Sequence, residues 1–144
     1  LDDGTTTPER PKTAPLDQQL HILLVDDDDL VRDSLAELMR LEGHDVVPVS
    51  TGEAALAELE TSQFDVLVTD VFMPGMSGAE LVERVAELHP ALPVLFMSGN
   101  LAAPGLREKI ESGLASLISK PIHPEELERA LVDVCSGRVY QWTP

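Results

Sequence analysis

The sequence lacks the features that mark secreted or membrane-inserted proteins. Its only cysteine is Cys135, which cannot form an internal disulfide, so the chain suits a reducing compartment. No apolar run approaches the roughly 20 residues that a membrane-spanning helix needs. The first residues are polar and proline-rich without an apolar core, unlike a secretory signal peptide. We therefore expect a cytoplasmic domain, or the cytoplasmic portion of a membrane-bound protein.

Basic residues are also scarce. The chain has 10 Lys and Arg against 26 Asp and Glu, which gives a formal net charge of −16. Such a charge repels nucleic acid and anionic membrane surfaces, so we expect no direct binding to either. It favours cations and basic partner surfaces instead.

The composition provides enough apolar residues for one domain. A chain of 144 residues with 43% hydrophobic content can form one compact core but is too short for two ordinary domains. Residues 1–19 hold three prolines and few apolar residues, so we predict a flexible linker there. We predict the domain over 20–136 and a C-terminal tail over 137–144. Because the chain begins with Leu1 rather than Met, we expect a fragment of a longer protein.

Short apolar runs alternate with stretches of helical period along the predicted domain. The apolar runs predict five strands, over 21–25, 46–49, 64–69, 93–97 and 114–119. The amphipathic stretches predict five helices, ending near residues 41, 59, 88, 112 and 134.

Boundary residues support these helices. Asp29 is our candidate N-cap of the first helix and Gly43 its stop signal. Ser50 with Glu53, and Ser77 with Glu80, have capping-box spacing and open the second and third helices. The fourth predicted helix covers 104–112, and Pro124 at a first helical position opens the fifth.

The order of these elements predicts the fold class. Strands that are apolar almost throughout are typical of a sheet covered on both faces. Five such strands alternating with five helices indicate an α/β domain with a doubly wound, five-stranded parallel sheet. In such sheets, ligands bind beyond the carboxyl ends of the strands.

Polar residues that could bind a metal ion or take part in a reaction follow four of the five predicted strands. Asp26 and Asp27 follow the first strand, Asp70 the third, Ser98 the fourth and Lys120 the fifth. Because the carboxyl ends of parallel strands share one edge of the sheet, we expect these side chains to converge.

Three converging carboxylates repel one another unless a cation lies among them. Carboxylate oxygens with access to water match Mg²⁺ or Mn²⁺, and the main-chain carbonyl of Phe72 is a further candidate ligand. Lys120 and Ser98 would supply a positive charge and a hydroxyl for a phosphoryl group. Asp70 is the best candidate nucleophile, because the loop over 73–78 behind it can wrap the metal.

Four segments together resemble the signature of response-regulator receiver domains. They are Val25-Asp26-Asp27, then Thr69-Asp70-Val71-Phe72-Met73-Pro74-Gly75-Met76-Ser77-Gly78, then Met97-Ser98-Gly99, and Ser119-Lys120-Pro121. One such segment would be weak evidence, but four in order at strand ends are specific. The resemblance covers about Leu20 to Val134 and implies a flavodoxin-like (βα)5 fold.

The resemblance also implies a role for each site residue. Asp70 would accept a phosphoryl group from a phosphohistidine on a histidine kinase or a phosphotransfer domain. Asp26 and Asp27 would hold Mg²⁺ with Asp70, while Ser98 and Lys120 would bind phosphoryl oxygens. Pro121 is expected to follow a cis peptide bond, and Gly99 to leave access for the donor. The domain would catalyse only its own phosphorylation and dephosphorylation.

Two positions depart from the common pattern of the family. Leu117 lies where many receivers have a switching Tyr or Phe, so the resemblance does not imply an aromatic switch in this chain. Phe72 and Asn100 are expected to flank the path of the hydrolytic water. We hypothesise that the bulky, apolar Phe72 slows water attack and lengthens the phosphorylated state.

Other readings of these residues are weaker. Asp28 and Asp29 are interpreted as helix-capping residues, and the same interpretation of Asp26 and Asp27 is weaker given Asp70 and Lys120. The methionines are interpreted as core or loop packing and Cys135 as inert. The four histidines show no metal spacing and are interpreted as surface or cap residues: His21, His44, His89 and His123.

Rival functions follow from the same residues. A phosphohydrolase of the haloacid-dehalogenase class also uses an aspartate nucleophile with Mg²⁺, but it needs an acid where this chain has Phe72. A pseudo-receiver, acting as an interaction module without phosphorylation, would need the loss of an acid or of the lysine. DNA binding would require an output domain outside this chain.

We expect the parent to be a hybrid sensor histidine kinase with this receiver at its C-terminus, or else a stand-alone regulator. Homodimerisation is a further option.

Overall fold

The computed structural model describes residues 19–99 and 116–136, and all structural statements concern those residues. The apolar runs form five strands, one after another along the chain: β1 (His21–Val25), β2 (Asp45–Val49), β3 (Val66–Asp70), β4 (Val94–Ser98) and β5 (Ser116–Ser119). The amphipathic stretches form four helices, which are α1 (Asp29–Leu41), α2 (Gly52–Thr61), α3 (Gly78–Leu88) and α4 (Pro124–Cys135). The helix predicted over 104–112 lies outside the described residues, as do the positions 1–18 and 137–144.

All five strands pair in parallel in one sheet of order β2-β1-β3-β4-β5. This is the flavodoxin-like order, so the predicted fold class is confirmed. The order reverses between β1 and β3, and open α/β sheets bind ligands at the carboxyl end of such a switch point.

Neighbouring residues of each strand point to opposite faces of the sheet, which builds two cores. On one face, Leu24 and Val68 pack with residues of α1 and α4 such as Met39 and Leu131. On the other face lie the strand residues Leu23, Leu67 and Phe96 with residues of α2 and α3, such as Leu59, Leu81 and Val85. Burial on both faces explains why the sequences of the strands are apolar almost throughout.

Two strands end one residue later than the sequence suggested. Asp70 is the last residue of β3 and Ser98 the last residue of β4, rather than the first residue after each strand. In both strands the backbone ladder includes the polar residue, and Asp70 pairs with Met97 in register. The side chains remain at the carboxyl edge of the sheet.

Two predicted helix starts are wrong by one residue. Asp28, not Asp29, is the N-cap of α1, and its Oδ1 accepts hydrogen bonds from the amides of Leu30 and Val31. Thr51, not Ser50, caps α2 by accepting from the amide of Ala54.

Two other boundary predictions are confirmed. Ser77 and Glu80 form a complete capping box at the start of α3. Gly43 follows the C-terminal cap of α1 with φ of 98°, a left-handed conformation that glycine adopts without strain.

The interpretation of His44 as a surface or cap residue is wrong. Its side chain is completely buried between the start of the sheet and α4. Nδ1 accepts from the amide of Leu20 at 3.2 Å, and Nε2 lies 3.2 Å from Oε2 of Glu128. The pattern of apolar residues could not show this, because a polar residue is buried where it finds partners rather than where periodicity places it.

In the part of the chain that the structure describes, no helix is both long enough and apolar enough to span a bilayer.

Candidate functional site

Three carboxylates meet at the carboxyl edge where β1 and β3 lie side by side. Val25 pairs with Thr69 in register, so Asp26 and Asp70 continue two adjacent strands. Asp26, Asp27 and Asp70 each offer an oxygen within 4.8 Å of the others. Asp26 is buried, Asp70 is half-buried and Asp27 is exposed. The predicted convergence of these three residues is therefore present in the structure.

The carboxylate of Asp26 is held on both oxygens. Oδ1 accepts from the amide of Asp28 at 2.9 Å, and Oδ2 lies 3.4 Å from Nζ of Lys120. The main chain is fixed as well, because the Asp26 amide donates to the carbonyl of Val49. A buried carboxylate needs such partners to offset the loss of water.

Lys120 connects β5 to the carboxylates. Its amide donates to the carbonyl of Ser98 at 2.9 Å, which fixes its backbone against the end of β4. Nζ lies 3.3 Å from Oδ1 of Asp70 and 3.4 Å from Oδ2 of Asp26. The Lys120–Pro121 peptide bond is cis, as the resemblance implied. Lys120 thus places one positive charge between two of the three acids.

Asp70 is an unusual carboxyl group. Burial raises its pKa above the ordinary value of 3.8, the charge of Lys120 lowers it, and the charge of Asp26 raises it again. Oδ1 also accepts from the amide of Val71 at 3.0 Å. Because burial outweighs the single lysine, ionised Asp70 gains from any further positive charge that enters the cluster.

Ser98 completes the edge on the β4 side. It is buried and pairs in register with Ser119 on β5, one position beyond Met97, which pairs with Asp70. Among the described residues, the atom nearest to a Cβ added at the following residue, Gly99, is Cβ of Lys120 at 3.9 Å, which is ordinary contact. Packing against the described residues therefore does not require glycine at that position.

The loop between β3 and α3 is shaped by two glycines. Gly75 has φ of 77°, which turns the chain where a larger residue would be strained. Gly78 packs so closely on the end of β3 that an added Cβ would clash with the carbonyl oxygen of Asp70. The sequence showed the loop but not this contact, whose only signal was a glycine directly after the Ser77 cap.

The two departures from the family pattern occupy different environments. Phe72 is 51% exposed, so its ring lies at the surface two residues beyond Asp70. Leu117 is buried in the core beside α2 and α3. Asn100, the other residue expected near the hydrolytic water, lies outside the described residues.

Sequence reasoning missed Arg32. Its Nη1 donates to the carbonyl oxygen of Asp26 at 2.8 Å, and its Nη2 donates to Oδ1 of Asp29 at 2.6 Å. The available signal was the i,i+3 spacing of Asp29 and Arg32 on a helix that begins at the acidic run.

The donor set fits a small divalent cation. Mg²⁺ prefers carboxylate oxygens and retains several waters, and the exposed Asp27 leaves the cluster open to solvent. Cys135 offers no competing soft ligand, because it lies at the end of α4 and burial raises its thiol pKa to about 11.

The sheet order and this set of side chains define a doubly wound α/β domain with an acidic cluster at its switch point. The sequence profile of the response regulator receiver domain family matches residues 22–132, and the chain belongs to this family. It is therefore a receiver domain of the kind found in two-component systems. The resemblance that the four sequence segments indicated is confirmed.

Relatives of this chain include a response regulator and a sensor histidine kinase. The chain is 37% identical over 113 residues to the response regulator protein FleR of Pseudomonas aeruginosa, covering 78% of this chain and 23% of FleR. It is 33% identical over 128 residues to the sensor histidine kinase RcsC of Salmonella typhi, covering 89% of this chain and 14% of RcsC. The chain thus spans less than a quarter of either relative.

Solved structures show the same fold. The chemotaxis protein CheY4 of Vibrio cholerae superposes with a TM-score of 0.74 at 28% identity, covering 81% of this chain and 99% of CheY4. The receiver domain of the hybrid histidine kinase CckA gives a TM-score of 0.62 at 32% identity, covering 77% of this chain and 94% of that domain.

Proposed function

We propose that this receiver takes a phosphoryl group from a phosphohistidine onto Asp70, with the help of a divalent cation, and relays it as a conformational signal in a phosphorelay. The observation that carries this proposal is the meeting of Asp70 with two further carboxylates and the Lys120 ammonium at one edge of the sheet. Such a cluster offers what phosphoryl transfer chiefly requires, a positioned nucleophile and neutralisation of charge.

Asp70 is the proposed nucleophile, through Oδ2. Among the described contacts, the hydrogen bond from Val71 and the ion pair with Lys120 both use Oδ1. A bond would form between Oδ2 and phosphorus while the phosphorus–nitrogen bond of the donor imidazole breaks. The imidazole nitrogen keeps that electron pair and takes up a proton, and Asp70 becomes an aspartyl phosphate.

The other residues would bind the transferred group and its cation. Asp26, Asp27 and Asp70 would hold Mg²⁺ or Mn²⁺, with the main-chain carbonyl of Phe72 as a further ligand. The bound cation would neutralise negative charge on the phosphoryl oxygens. Lys120 would pair with one of those oxygens, and the Ser98 hydroxyl would donate a hydrogen bond to another.

This chemistry requires a histidine kinase or a histidine phosphotransfer domain as its partner. A homodimer with a second copy of this chain is a further proposal. Similarity to RcsC supports a hybrid sensor histidine kinase as the parent, and similarity to FleR supports a response regulator. In either case we propose a cytoplasmic receiver over residues 20–136, between a linker over 1–19 and a tail over 137–144.

An intact-mass measurement tests the proposal. The protein is incubated with acetyl phosphate, with Mg²⁺ or with EDTA, beside an Asp70→Asn variant. Asp45→Asn is the matched control, because Asp45 is exposed and begins β2 at the opposite edge of the sheet.

We expect the mass of one phosphoryl group to be added to the wild type and to Asp45→Asn only with Mg²⁺, and none to be added to Asp70→Asn. No gain in the wild type, also with a phosphorylated histidine kinase as donor, would reject the proposal in favour of a pseudo-receiver.

A further inference from the structure

The guanidinium of Arg32 lies against the turn that carries two of the three site carboxylates, those of Asp26 and Asp27. Its side chain is 16% exposed, although it extends from the first turn of α1, and the side chain of its partner Asp29 is 83% exposed. Nη1 donates to the carbonyl oxygen of Asp26 at 2.8 Å, while Nη2 reaches Asp29. The arginine thus bonds the main chain of the site rather than a carboxylate of the cluster.

The bonded carbonyl belongs to the peptide group that joins Asp26 to Asp27. A peptide group is planar, so holding its oxygen fixes the direction in which the chain enters Asp27. The Asp26 side chain has its own partners, the amide of Asp28 and Lys120. For Asp27, the described part of the chain shows no hydrogen bond or ion pair to its side chain. The position of the Asp27 carboxylate therefore depends on the main chain of this turn.

We propose that Arg32 is a positioning residue for the divalent cation site. By holding the Asp26–Asp27 peptide it places the Asp27 carboxylate against those of Asp26 and Asp70, and so sets the affinity for Mg²⁺. Partners that orient metal ligands from outside the ligand set are known to control metal affinity in this way. The inference rests on the cation site of the proposed function, but its effect on Mg²⁺ binding does not depend on phosphoryl transfer to Asp70.

Charge and position predict opposite effects. A positive charge beside the cluster repels Mg²⁺, so if Arg32 acted only through its charge, removing it would strengthen cation binding. If Arg32 acts by holding the peptide, removing it weakens binding. The direction of the change in affinity therefore distinguishes the two roles.

The geometry also predicts a difference between arginine and lysine. Arg32 bonds two acceptors at once through two nitrogens of one planar group. A lysine has a single ammonium on a flexible stem and is not equivalent where two acceptors are bridged. Arg32→Lys keeps the charge but should restore only part of the positioning.

The experiment measures Mg²⁺ binding by calorimetry for the wild type, Arg32→Ala and Arg32→Lys, without a phosphodonor. Arg40→Ala is the matched control, because Arg40 lies on the same helix and donates to a main-chain carbonyl, that of Val46, away from the site. Circular dichroism without Mg²⁺ establishes that each variant is folded.

We expect Arg32→Ala to bind Mg²⁺ about 10- to 100-fold more weakly than the wild type, Arg32→Lys to be intermediate, and Arg40→Ala to be unchanged. Phosphorylation by acetyl phosphate should then need more Mg²⁺ for half-maximal rate in Arg32→Ala but approach the wild-type rate at saturation. A general loss of structure would not give this pattern.

Equal or tighter Mg²⁺ binding by Arg32→Ala would overturn the positioning role, even if the wild type is phosphorylated on Asp70. If Arg32→Ala does not fold, Arg32→Lys is the test instead. An affinity of Arg32→Lys for Mg²⁺ equal to that of the wild type would then overturn the positioning role. A wild type that binds no Mg²⁺ would overturn both this inference and the proposed function. Tight Mg²⁺ binding that depends on Arg32, in a protein that takes no phosphoryl group, would reject the proposed function alone.

Discussion

At the scale of single residues, the close approach of Gly78 to the main chain of Asp70 links the packing of α3 to the site. Gly78 donates its amide to the carbonyl of Val71 at 2.8 Å, and no room remains for a side chain. We predict that Gly78→Ala lowers the free energy of unfolding by about 1–3 kcal/mol, because the backbone must shift. Urea denaturation measures this.

Gly99→Ala is the control for that prediction. Within residues 19–99 and 116–136, its added Cβ would contact Cβ of Lys120 at an ordinary distance. We expect its unfolding free energy to stay within about 0.5 kcal/mol of the wild type. If Gly78→Ala were as stable as Gly99→Ala, the close contact at the end of β3 would be refuted.

The raised pKa of Asp70 predicts a dependence of stability on pH. Burial, as the largest cause, makes the folded protein hold the Asp70 proton more tightly than the unfolded chain does. Stability from this group is therefore present below pH 3.8 and is lost as the pH rises through the raised pKa of the folded state. Asp70→Asn removes that loss.

We therefore expect metal-free Asp70→Asn to be more stable than the wild type at neutral pH. The difference should shrink on acidification and also on addition of Mg²⁺. Thermal unfolding of both proteins from pH 3 to pH 8 measures it, with Asp45→Asn as a control that should show no such trend. A wild type more stable than Asp70→Asn in EDTA at neutral pH would contradict the assignment.

The position of Phe72 predicts an effect on the lifetime of the proposed phosphorylated state. Its half-exposed ring lies two residues beyond Asp70, the proposed acceptor, where we expect it to shield the aspartyl phosphate from water. Phe72→Asn should shorten the lifetime about tenfold, which corresponds to about 1.4 kcal/mol of activation free energy. The half-life of the phosphorylated protein by intact mass measures this, with Phe72→Leu as the apolar control. An unchanged half-life of phosphorylated Phe72→Asn would contradict the hypothesis that the ring shields the aspartyl phosphate.

At the scale of helices and strands, the buried pair of His44 and Glu128 joins α4 to the beginning of the sheet. His44 lies between α1 and β2, and its ring bonds both the amide of Leu20 and the carboxyl group of Glu128. His44→Ala leaves two buried polar groups without a partner, so we expect a loss of about 1–3 kcal/mol for each such group. Urea denaturation measures the loss.

Two further variants define that result. His123→Ala should be near neutral, because His123 is exposed and makes no side-chain capping bond. The double variant His44→Leu with Glu128→Leu should lose less than the sum of the two single changes, because it leaves no unpaired carboxyl group. Additive losses would show that the two side chains do not interact.

Most elements could be predicted from sequence, because the strands and helices have strong and different apolar periods. The exact helix starts could not. Four adjacent aspartates, 26–29, lie at the start of α1, and by residue type each could cap it. In the structure Asp28 is the cap, while Asp26 pairs with Lys120 and Asp29 with Arg32. Ser50 and Thr51 are likewise equivalent as caps by composition. Such choices are made by long-range contacts, which local sequence does not contain.

The candidate site shows the same division. The acids, the serine and the lysine could be predicted from their place at strand ends, because the parallel topology brings those ends together. For Arg32, the i,i+3 spacing indicated only an ion pair with Asp29, and its contact with the main-chain carbonyl of Asp26 carries no sequence signal. The burial of His44 also depends on Glu128, 84 residues further along the chain.

At the scale of the whole molecule, the strongly acidic chain should be stabilised by the divalent cation that we propose for its site. A ligand that binds only the folded state at 100 times its dissociation constant adds about 2.7 kcal/mol to the free energy of unfolding. We expect Mg²⁺ to raise the melting temperature of the wild type more than Na⁺ of equal ionic strength does.

Asp27→Asn should lose most of this stabilisation, because it removes the exposed ligand of the cluster, and Asp33→Asn should retain it. Differential scanning fluorimetry measures both. An equal response of the wild type and Asp27→Asn to Mg²⁺ would mean that the ion acts by general screening of the net charge rather than at the cluster.

The most direct test of the central claim locates the phosphoryl group on the chain. The protein is phosphorylated with acetyl phosphate and Mg²⁺ and treated with borohydride, which reduces an aspartyl phosphate to homoserine and leaves free carboxylates intact. Tandem mass spectrometry of the peptides then identifies the reduced residue. We predict homoserine in place of Asp70, formed only when Mg²⁺ and the phosphodonor are both present. Homoserine at Asp26 or Asp27, or an unreduced Asp70 in protein that carries a phosphoryl group, would contradict the account.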